Sequence, residues 1–154
     1  MKIALLVVGP GKSGPEQAMV DDYAKRFSKL SGPLGLSGLD ITSVKSGGGL
    51  KIEGERLLAK LPGQGKIIRL DEHGPAWPST KLAKNIANWR DDGERALTFL
   101  IGGAEGYSDA VQHAAPTRLA LGPQTWPHML VRAMITEQIY RAASILARTP
   151  YHKA

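Results

Sequence analysis

The sequence contains no cysteine among its 154 residues. This absence excludes a disulfide framework, a thiolate nucleophile and a zinc site built on cysteine. Four histidines are present, but they are far apart and lack the i, i+4 spacing of a helical metal site, so we expect no bound metal. A chain without disulfides is compatible with a reducing compartment, and the cytoplasm is the location that we expect.

Long apolar runs are also missing. The run at the amino end, 3–8, is only six residues long, whereas a membrane span needs roughly 20. No small-residue cleavage site follows it, so the pattern favours a buried first strand over a signal peptide. We therefore expect no membrane partner.

Aromatic residues are scarce, at 6%, and form no ladder of the kind on which single-stranded nucleic acids stack. Positive charge is abundant by contrast, with a net charge of +6. A domain this basic is compatible with a polyanionic partner, of which nucleic acid is the foremost candidate. The lysines and arginines are scattered, however, and a surplus that serves solubility is the alternative.

Strand and helix patterns alternate along the chain. Short apolar or alternating runs predict strands at 2–9, 39–44, 66–71, 97–103 and 117–122. Helical periodicity predicts helices at 15–30, 51–61, 79–91 and 127–147. Ser79 is expected to cap the third helix. This order predicts an α/β fold with a mostly parallel sheet covered by helices on both faces. Because no linker, repeat or low-complexity segment interrupts it, we expect a single domain over 1–154.

The last predicted helix is apolar around most of its circumference. A helix of this kind is buried on two sides, and the sheet can cover only one of them. A second copy of the chain is the simplest cover for the other, so we expect a homodimer through this helix. Arg132, Glu137 and Arg141 are candidate functional residues, because charges in a largely buried helix are costly unless they serve a site.

Three loops follow predicted strands. The segment 9–14, "GPGKSG", matches a dinucleotide fingerprint, but Pro15 follows at once and the acidic ribose-binding residue is missing, so a simple turn is favoured. A dinucleotide-dependent oxidoreductase is therefore the least favoured of the candidate functions. The loops "LIGGAEG" (100–106) and "LGPQTWPHML" (121–130) are better ligand sites, because glycines and free amides let a ligand approach the backbone. His128 is interpreted as a structural hydrogen-bonding residue.

These two loops, the helix that continues as "VRAMITEQIYRA" and the terminal "PYHK" together resemble the RlmH family of bacterial ribosomal RNA methyltransferases, which belongs to the SPOUT superfamily. The resemblance covers nearly the whole chain. It implies S-adenosylmethionine as cofactor and a trefoil knot in the carboxyl-terminal half of the α/β fold. The implied activity is methylation of N3 of a pseudouridine in helix 69 of 23S ribosomal RNA, on assembled ribosomes and as a homodimer.

The resemblance also implies which residues bind the cofactor. They are Leu70, Gly103, Leu121, Gly122, Pro123, Gln124, Thr125 and Trp126. The family commonly has serine and methionine where this chain has Gly122 and Gln124. Binding through the backbone is expected to survive both differences. A non-catalytic ribosome-binding or assembly factor on the same fold is the alternative function that these two differences favour.

Methylation of N3 requires removal of an imide proton, and histidine is the natural general base near neutral pH. His152 is the candidate base, with RNA positioning as its alternative role. Arg141 or Arg132 is expected to stabilise the developing negative charge, and Tyr151 to stack on the ring. Glu137 completes the set of candidate catalytic residues. The candidate RNA-binding residues are Arg132, Arg148 and Lys153.

Overall fold

The computed structural model describes residues 1–153, so Ala154, the last residue of the predicted domain, lies outside the described residues. The strands are β1 (Lys2–Val8), β2 (Leu39–Val44), β3 (Lys66–Leu70), β4 (Ala96–Ile101) and β5 (Thr117–Leu119). The helices are α1 (Pro15–Ser31), α2 (Leu50–Ala59), α3 (Ser79–Asp91), α4 (Asp109–Ala114) and α5 (His128–Leu146). A short 3₁₀ helix, Gly32–Leu34, follows α1.

All strand pairs of the sheet are parallel, and the strand order is β2-β1-β4-β3-β5. The predicted parallel α/β fold is therefore confirmed. β4 is buried along its whole length, as is β1 after Lys2, which agrees with their central positions. Because the strands are parallel, their carboxyl ends meet at one edge of the sheet, where ligands bind in folds of this type.

Helices cover both faces of the sheet, as predicted. On one face α1, α3 and α5 pack around side chains such as Phe27, Phe99 and Ile135. On the other face α2 and α4 contribute Leu57 and Val111 to a smaller apolar cluster. In the part of the chain that the structure describes, no helix is long and apolar enough to cross a membrane.

One local prediction is wrong, and one helix was not predicted. Ser79 does not cap α3: Pro78 holds the cap position, and the Ser79 hydroxyl donates instead to Gln138 Oε1 at 2.7 Å. The helix α4 was not predicted, because six residues are too few to display helical periodicity. Its start is marked by Ser108, whose side chain accepts a hydrogen bond from the amide of Val111 at 3.3 Å.

No residue of α5 is fully exposed in the single chain, although several, such as Leu130 and Met134, are only partly buried. The buried set includes Arg132, Thr136 and Ser144 as well as apolar residues. The prediction of an all-round apolar helix is thus confirmed as far as burial is concerned. The homodimer and the trefoil knot stay predictions.

Candidate cofactor cleft and catalytic cluster

A cleft of about 880 Å³ opens where β1, β3, β4 and β5 end and α5 begins. Most of the predicted cofactor residues line it; they are Leu70, Gly103, Leu121, Gly122, Gln124, Thr125 and Trp126. Pro123 belongs to the same loop but does not line the cleft. Parallel topology explains this convergence, because it brings the loops that follow β3, β4 and β5 to the same edge.

The loop 121–126 is held in place by its own side chains. The Trp126 indole Nε1 donates to the Leu121 carbonyl at 3.0 Å, which closes the loop on itself. The Thr125 hydroxyl donates to Glu72 Oε2 at 2.7 Å, which ties the loop to the segment after β3. One wall of the cleft is therefore preorganised, and its backbone groups are available to a ligand.

Gly122 has a backbone φ of +105°, a region that residues with a Cβ rarely adopt. An added Cβ would lie 3.0 Å from Gln124 Oε1. Gly122→Ser is therefore expected to lower the free energy of unfolding by about 1–2 kcal/mol, measured by urea denaturation. The matched control is Gly32→Ser, because Gly32 has φ −53° and open space around its Cβ position. Equal stability of the two variants would contradict the strain at position 122.

Arg132 fastens the segment after β1 to α5. Its guanidinium is buried, and Nη2 donates to the carbonyls of Gly9 at 2.9 Å and Pro10 at 3.1 Å. The segment 9–14 is therefore a turn clamped by α5, which confirms the interpretation as a turn. Arg132 also lines the cleft, and its predicted roles in RNA binding and charge stabilisation stay predictions.

His128 lies at the first turn of α5 and borders the same cleft. Its Nδ1 accepts from Arg132 Nε at 3.3 Å, while its buried Nε2 has no hydrogen-bond partner among residues 1–153. Burial lowers the pKa of His128 below its ordinary value of about 6.5, and the neighbouring charge of Arg132 lowers it further. The folded protein therefore favours the neutral ring.

This lowered pKa makes stability depend on pH. Because the unfolded chain binds the proton more readily than the folded one, the contribution of His128 is complete above about pH 6.5 and is lost as the pH falls below that value. We expect the free energy of unfolding to fall between pH 7.5 and 5.5, and His128→Gln to flatten that fall. His113→Gln, at an exposed position of α4, is the control. An unchanged pH slope in His128→Gln would contradict this assignment.

A second cavity of about 650 Å³ lies beside the cleft and is lined by three of the candidate catalytic residues, Glu137, Arg141 and Tyr151. Glu137 Oε1 accepts from Arg141 Nη2 at 2.6 Å and from the Tyr151 hydroxyl at 2.9 Å. Arg141 Nη1 lies 3.4 Å from His152 Nδ1, and its guanidinium lies 4.7 Å from the centre of the Tyr151 ring. The structure thus brings together all four residues, Glu137, Arg141, Tyr151 and His152, which we call the catalytic cluster.

Glu137 organises this cluster. Its Oε1 receives donors from Arg141 and Tyr151, and its Oε2 accepts from Gln138 Nε2 at 2.7 Å. Hydrogen bonding to this carboxylate raises the pKa of Arg141, and burial together with Tyr23 and Glu137 raises that of Tyr151. Tyr151 therefore stays protonated near neutral pH, and Glu137 positions its neighbours.

The cleft and the second cavity share a wall formed by residues 119–122. A group bound in the cleft is therefore separated from the cavity of the cluster only by this short segment. Arg148 and Lys153 are exposed, and their predicted RNA contacts stay predictions. Within residues 1–153, no group of three histidine or acidic residues is arranged to hold a metal ion.

The sequence did not single out three other residues of the cleft. Arg69 is buried and donates to the Gln112 carbonyl, Tyr107 lies between two strand ends, and Glu72 accepts from Thr125. Each acts through a partner distant in the chain, which no local pattern indicates. The one indication in the sequence was for Arg69, an arginine that follows two isoleucines in a predicted strand.

Comparisons with known proteins agree with this geometry. The family model described as "Predicted SPOUT methyltransferase" matches residues 1–152. A "Ribosomal RNA large subunit methyltransferase H" of Hyphomonas neptunium is 54% identical over 100% of both chains, and one of Dinoroseobacter shibae is 44% identical over 99% of each. The solved "probable methylase family protein" of Haemophilus influenzae shares the fold, with a TM-score of 0.52 at 8% identity over 99% of this chain and 70% of that one. The chain therefore belongs to the SPOUT methyltransferase family, within the group of ribosomal RNA large subunit methyltransferases H.

Proposed function

We propose that the protein transfers a methyl group from S-adenosylmethionine to N3 of a pseudouridine in helix 69 of 23S ribosomal RNA. The observation that carries the proposal is the wall shared by the cleft and the cavity of the catalytic cluster. This arrangement lets a methyl donor in the cleft and a base near the cluster meet across one short segment. The names of the full-length relatives support ribosomal RNA of the large subunit as the substrate.

The residues of the cleft fit this cofactor. Gly103 lines the cleft, and a Cβ there would be only 3.1 Å from Glu53 Oε1, so this position favours glycine. Leu70, Gly103 and the loop 121–126 would hold the cofactor mainly through backbone groups. The sulfonium supplies an electrophilic methyl group, and the role of the chain is to align it with the nitrogen that attacks.

The catalytic cluster supplies the remaining chemistry. His152 takes the N3 proton, and Arg141 stabilises the negative charge that spreads onto the ring oxygens. Tyr151 stacks on or hydrogen-bonds the ring, while Glu137 holds Arg141 and Tyr151 in register. Arg148 and Lys153 contact RNA phosphates, which set the position of the substrate but not its sequence.

The protein acts as a homodimer through α5. Leu130 and Met134 are only partly buried in the single chain and line the second cavity, so a partner helix would cover them. Sedimentation velocity at micromolar concentration tests this, with a dimer expected and a monomer contradicting it. The substrate also places the protein in the cytoplasm with the ribosomes.

The alternative is a non-catalytic ribosome assembly factor, favoured by Gly122 and Gln124 in the cofactor loop. Calorimetric titration with S-adenosylmethionine separates the two functions. Binding is expected for the methyltransferase, and its absence would favour the assembly factor.

The decisive experiment is mass mapping of helix 69 from unmodified ribosomes incubated with the protein and S-adenosylmethionine. We expect one added methyl group, on a pseudouridine, and none when the cofactor is omitted. A methyl group elsewhere in the RNA would overturn the assignment of the target. A naked helix 69 oligonucleotide is the matched substrate control; its efficient methylation would contradict the use of assembled ribosomes.

A further inference from the structure

The pairing of β3 with β4 stops short at the mouth of the cleft. The parallel register runs from Lys66 opposite Leu97 to Arg69 opposite Leu100. If the pairing continued in that register, the next backbone hydrogen bond would join the Gly102 amide to the Leu70 carbonyl. That bond is replaced by a side chain, because the Tyr107 hydroxyl accepts from the Gly102 amide at 3.0 Å and lies 2.8 Å from the Leu70 carbonyl oxygen.

The hydroxyl of Tyr107 is thus inserted between the two strand ends. It also lies 2.8 Å from the Leu100 carbonyl oxygen, so its single proton is shared between two acceptors. Burial raises the pKa of Tyr107, which keeps this proton in place at neutral pH. The ring also touches the backbone: a Cβ added at Gly102 would come within 3.0 Å of Tyr107 Cε1.

The segment that carries Tyr107 is fastened at both ends. The Gln112 side chain donates to the Tyr107 carbonyl at 3.0 Å, which fixes the turn after the tyrosine. At the far end the buried Arg69 guanidinium donates to the carbonyls of Gln112 and Ala115, which ties the end of α4 back to β3. The ring therefore has no freedom to leave the gap without disrupting α4.

We propose that the Tyr107 hydroxyl is a wedge that holds β3 and β4 apart at Leu70 and Gly102, and so sets the width of the cofactor cleft. Leu70 and Gly102, on the two sides of the gap and next to Gly103, would otherwise be joined by a direct ladder bond. Tyr107 is a positioning residue, since it acts through the backbone of these two residues. The inference rests on the proposed binding of S-adenosylmethionine in this cleft.

Tyr107→Phe removes the hydroxyl and keeps the ring. We expect the dissociation constant and the KM for S-adenosylmethionine to rise about tenfold, the effect of one lost hydrogen bond that orders the site. The kcat at saturating cofactor and the KM for ribosomes are expected to stay within about twofold. The control is Tyr140→Phe, whose ring lies outside both cavities and is expected to leave the dissociation constant unchanged.

Amide hydrogen exchange separates a wedge from a merely structural tyrosine. We expect the Gly102 amide to be protected in the wild-type protein and to exchange faster in Tyr107→Phe, because the ring that remains still separates this amide from the Leu70 carbonyl while offering it no acceptor. A variant with a lower melting temperature but unchanged affinity for the cofactor would overturn the positioning role. Rapid exchange of Gly102 in the wild-type protein would overturn the wedge itself, and this measurement needs no variant.

The proposed function and the wedge at Tyr107 can be disproved independently of each other. If the wild-type protein does not bind S-adenosylmethionine, the proposed function is wrong, while protection of Gly102 still reports on the wedge. If the wild-type protein binds the cofactor and Tyr107→Phe binds it equally well, the proposed function stands and the wedge does not set the cleft.

Discussion

Replacing His152 with alanine is expected to lower the rate of methyl transfer by about 10²–10⁴-fold, the contribution of a positioned general base. The affinity for S-adenosylmethionine should change little, because His152 does not line the cleft. Single-turnover methylation of ribosomes measures the first quantity and calorimetry the second. His113→Ala is the matched control, because His113 is exposed on α4 and lies outside both cavities.

The contact with Arg141 makes a second substitution informative. Arg141 Nη1 can only donate a hydrogen bond, so His152 Nδ1, 3.4 Å away, must be the acceptor. A neutral His152 ring that accepts at Nδ1 carries its proton on Nε2. In that state Nε2 is a donor, and His152 must leave Arg141 before it can act as a base. Glutamine can donate a hydrogen bond but cannot take the N3 proton.

His152→Gln therefore distinguishes the two roles. If it is as slow as His152→Ala, His152 is the base, and binding of RNA must displace the ring from Arg141. If glutamine restores most of the activity, His152 positions the RNA and the assignment as base is wrong. Unchanged activity in both variants would remove His152 from the mechanism altogether.

Gly103→Ala is expected to weaken binding of S-adenosylmethionine about tenfold, because overpacking costs about 1–3 kcal/mol and tenfold corresponds to about 1.4 kcal/mol. The added Cβ would lie 3.1 Å from Glu53 Oε1 and 3.3 Å from Val8 Cγ1. Neither neighbour can yield easily. Glu53 Oε2 accepts from the Gly47 amide at 2.9 Å, and Val8 is buried at the end of β1.

The strain must therefore move the Gly103 backbone towards the cleft. Calorimetric titration measures the loss of affinity, and Gly38→Ala is the control because its Cβ would meet only ordinary contact, 3.8 Å from Ser28. Affinity within threefold of the wild-type value would show that the cofactor does not depend on close approach at Gly103.

Long periodic elements could be predicted from the sequence nearly to the residue. The helices α1 and α5 begin and end within one residue of the predicted bounds, because 17 and 19 residues display their period clearly. The strands β4 and β5 end two or three residues earlier than predicted. There the apolar run continues into the loops of the cleft, so hydrophobicity alone does not mark where pairing stops.

The catalytic cluster was only partly open to prediction. Glu137 and Arg141 are paired by helical spacing, which the sequence displays. The return of Tyr151 to Glu137 depends on a reversal after α5 in which Arg148 adopts φ +56°. Nothing in the residues around Arg148 signals that conformation. The wedge at Tyr107 was equally hidden, because it depends on the register of two strands that are distant in the chain.

The packing of α5 against α1 sets an order for folding during synthesis. The apolar face of α1 leaves the ribosome well before α5, the helix that covers it. Arg132, which clamps the turn after β1, arrives equally late. Until then the sheet has one face incompletely covered, and exposed apolar surface of this kind promotes aggregation. A nascent chain stalled before His128 would therefore expose this surface and depend on chaperones to stay in solution.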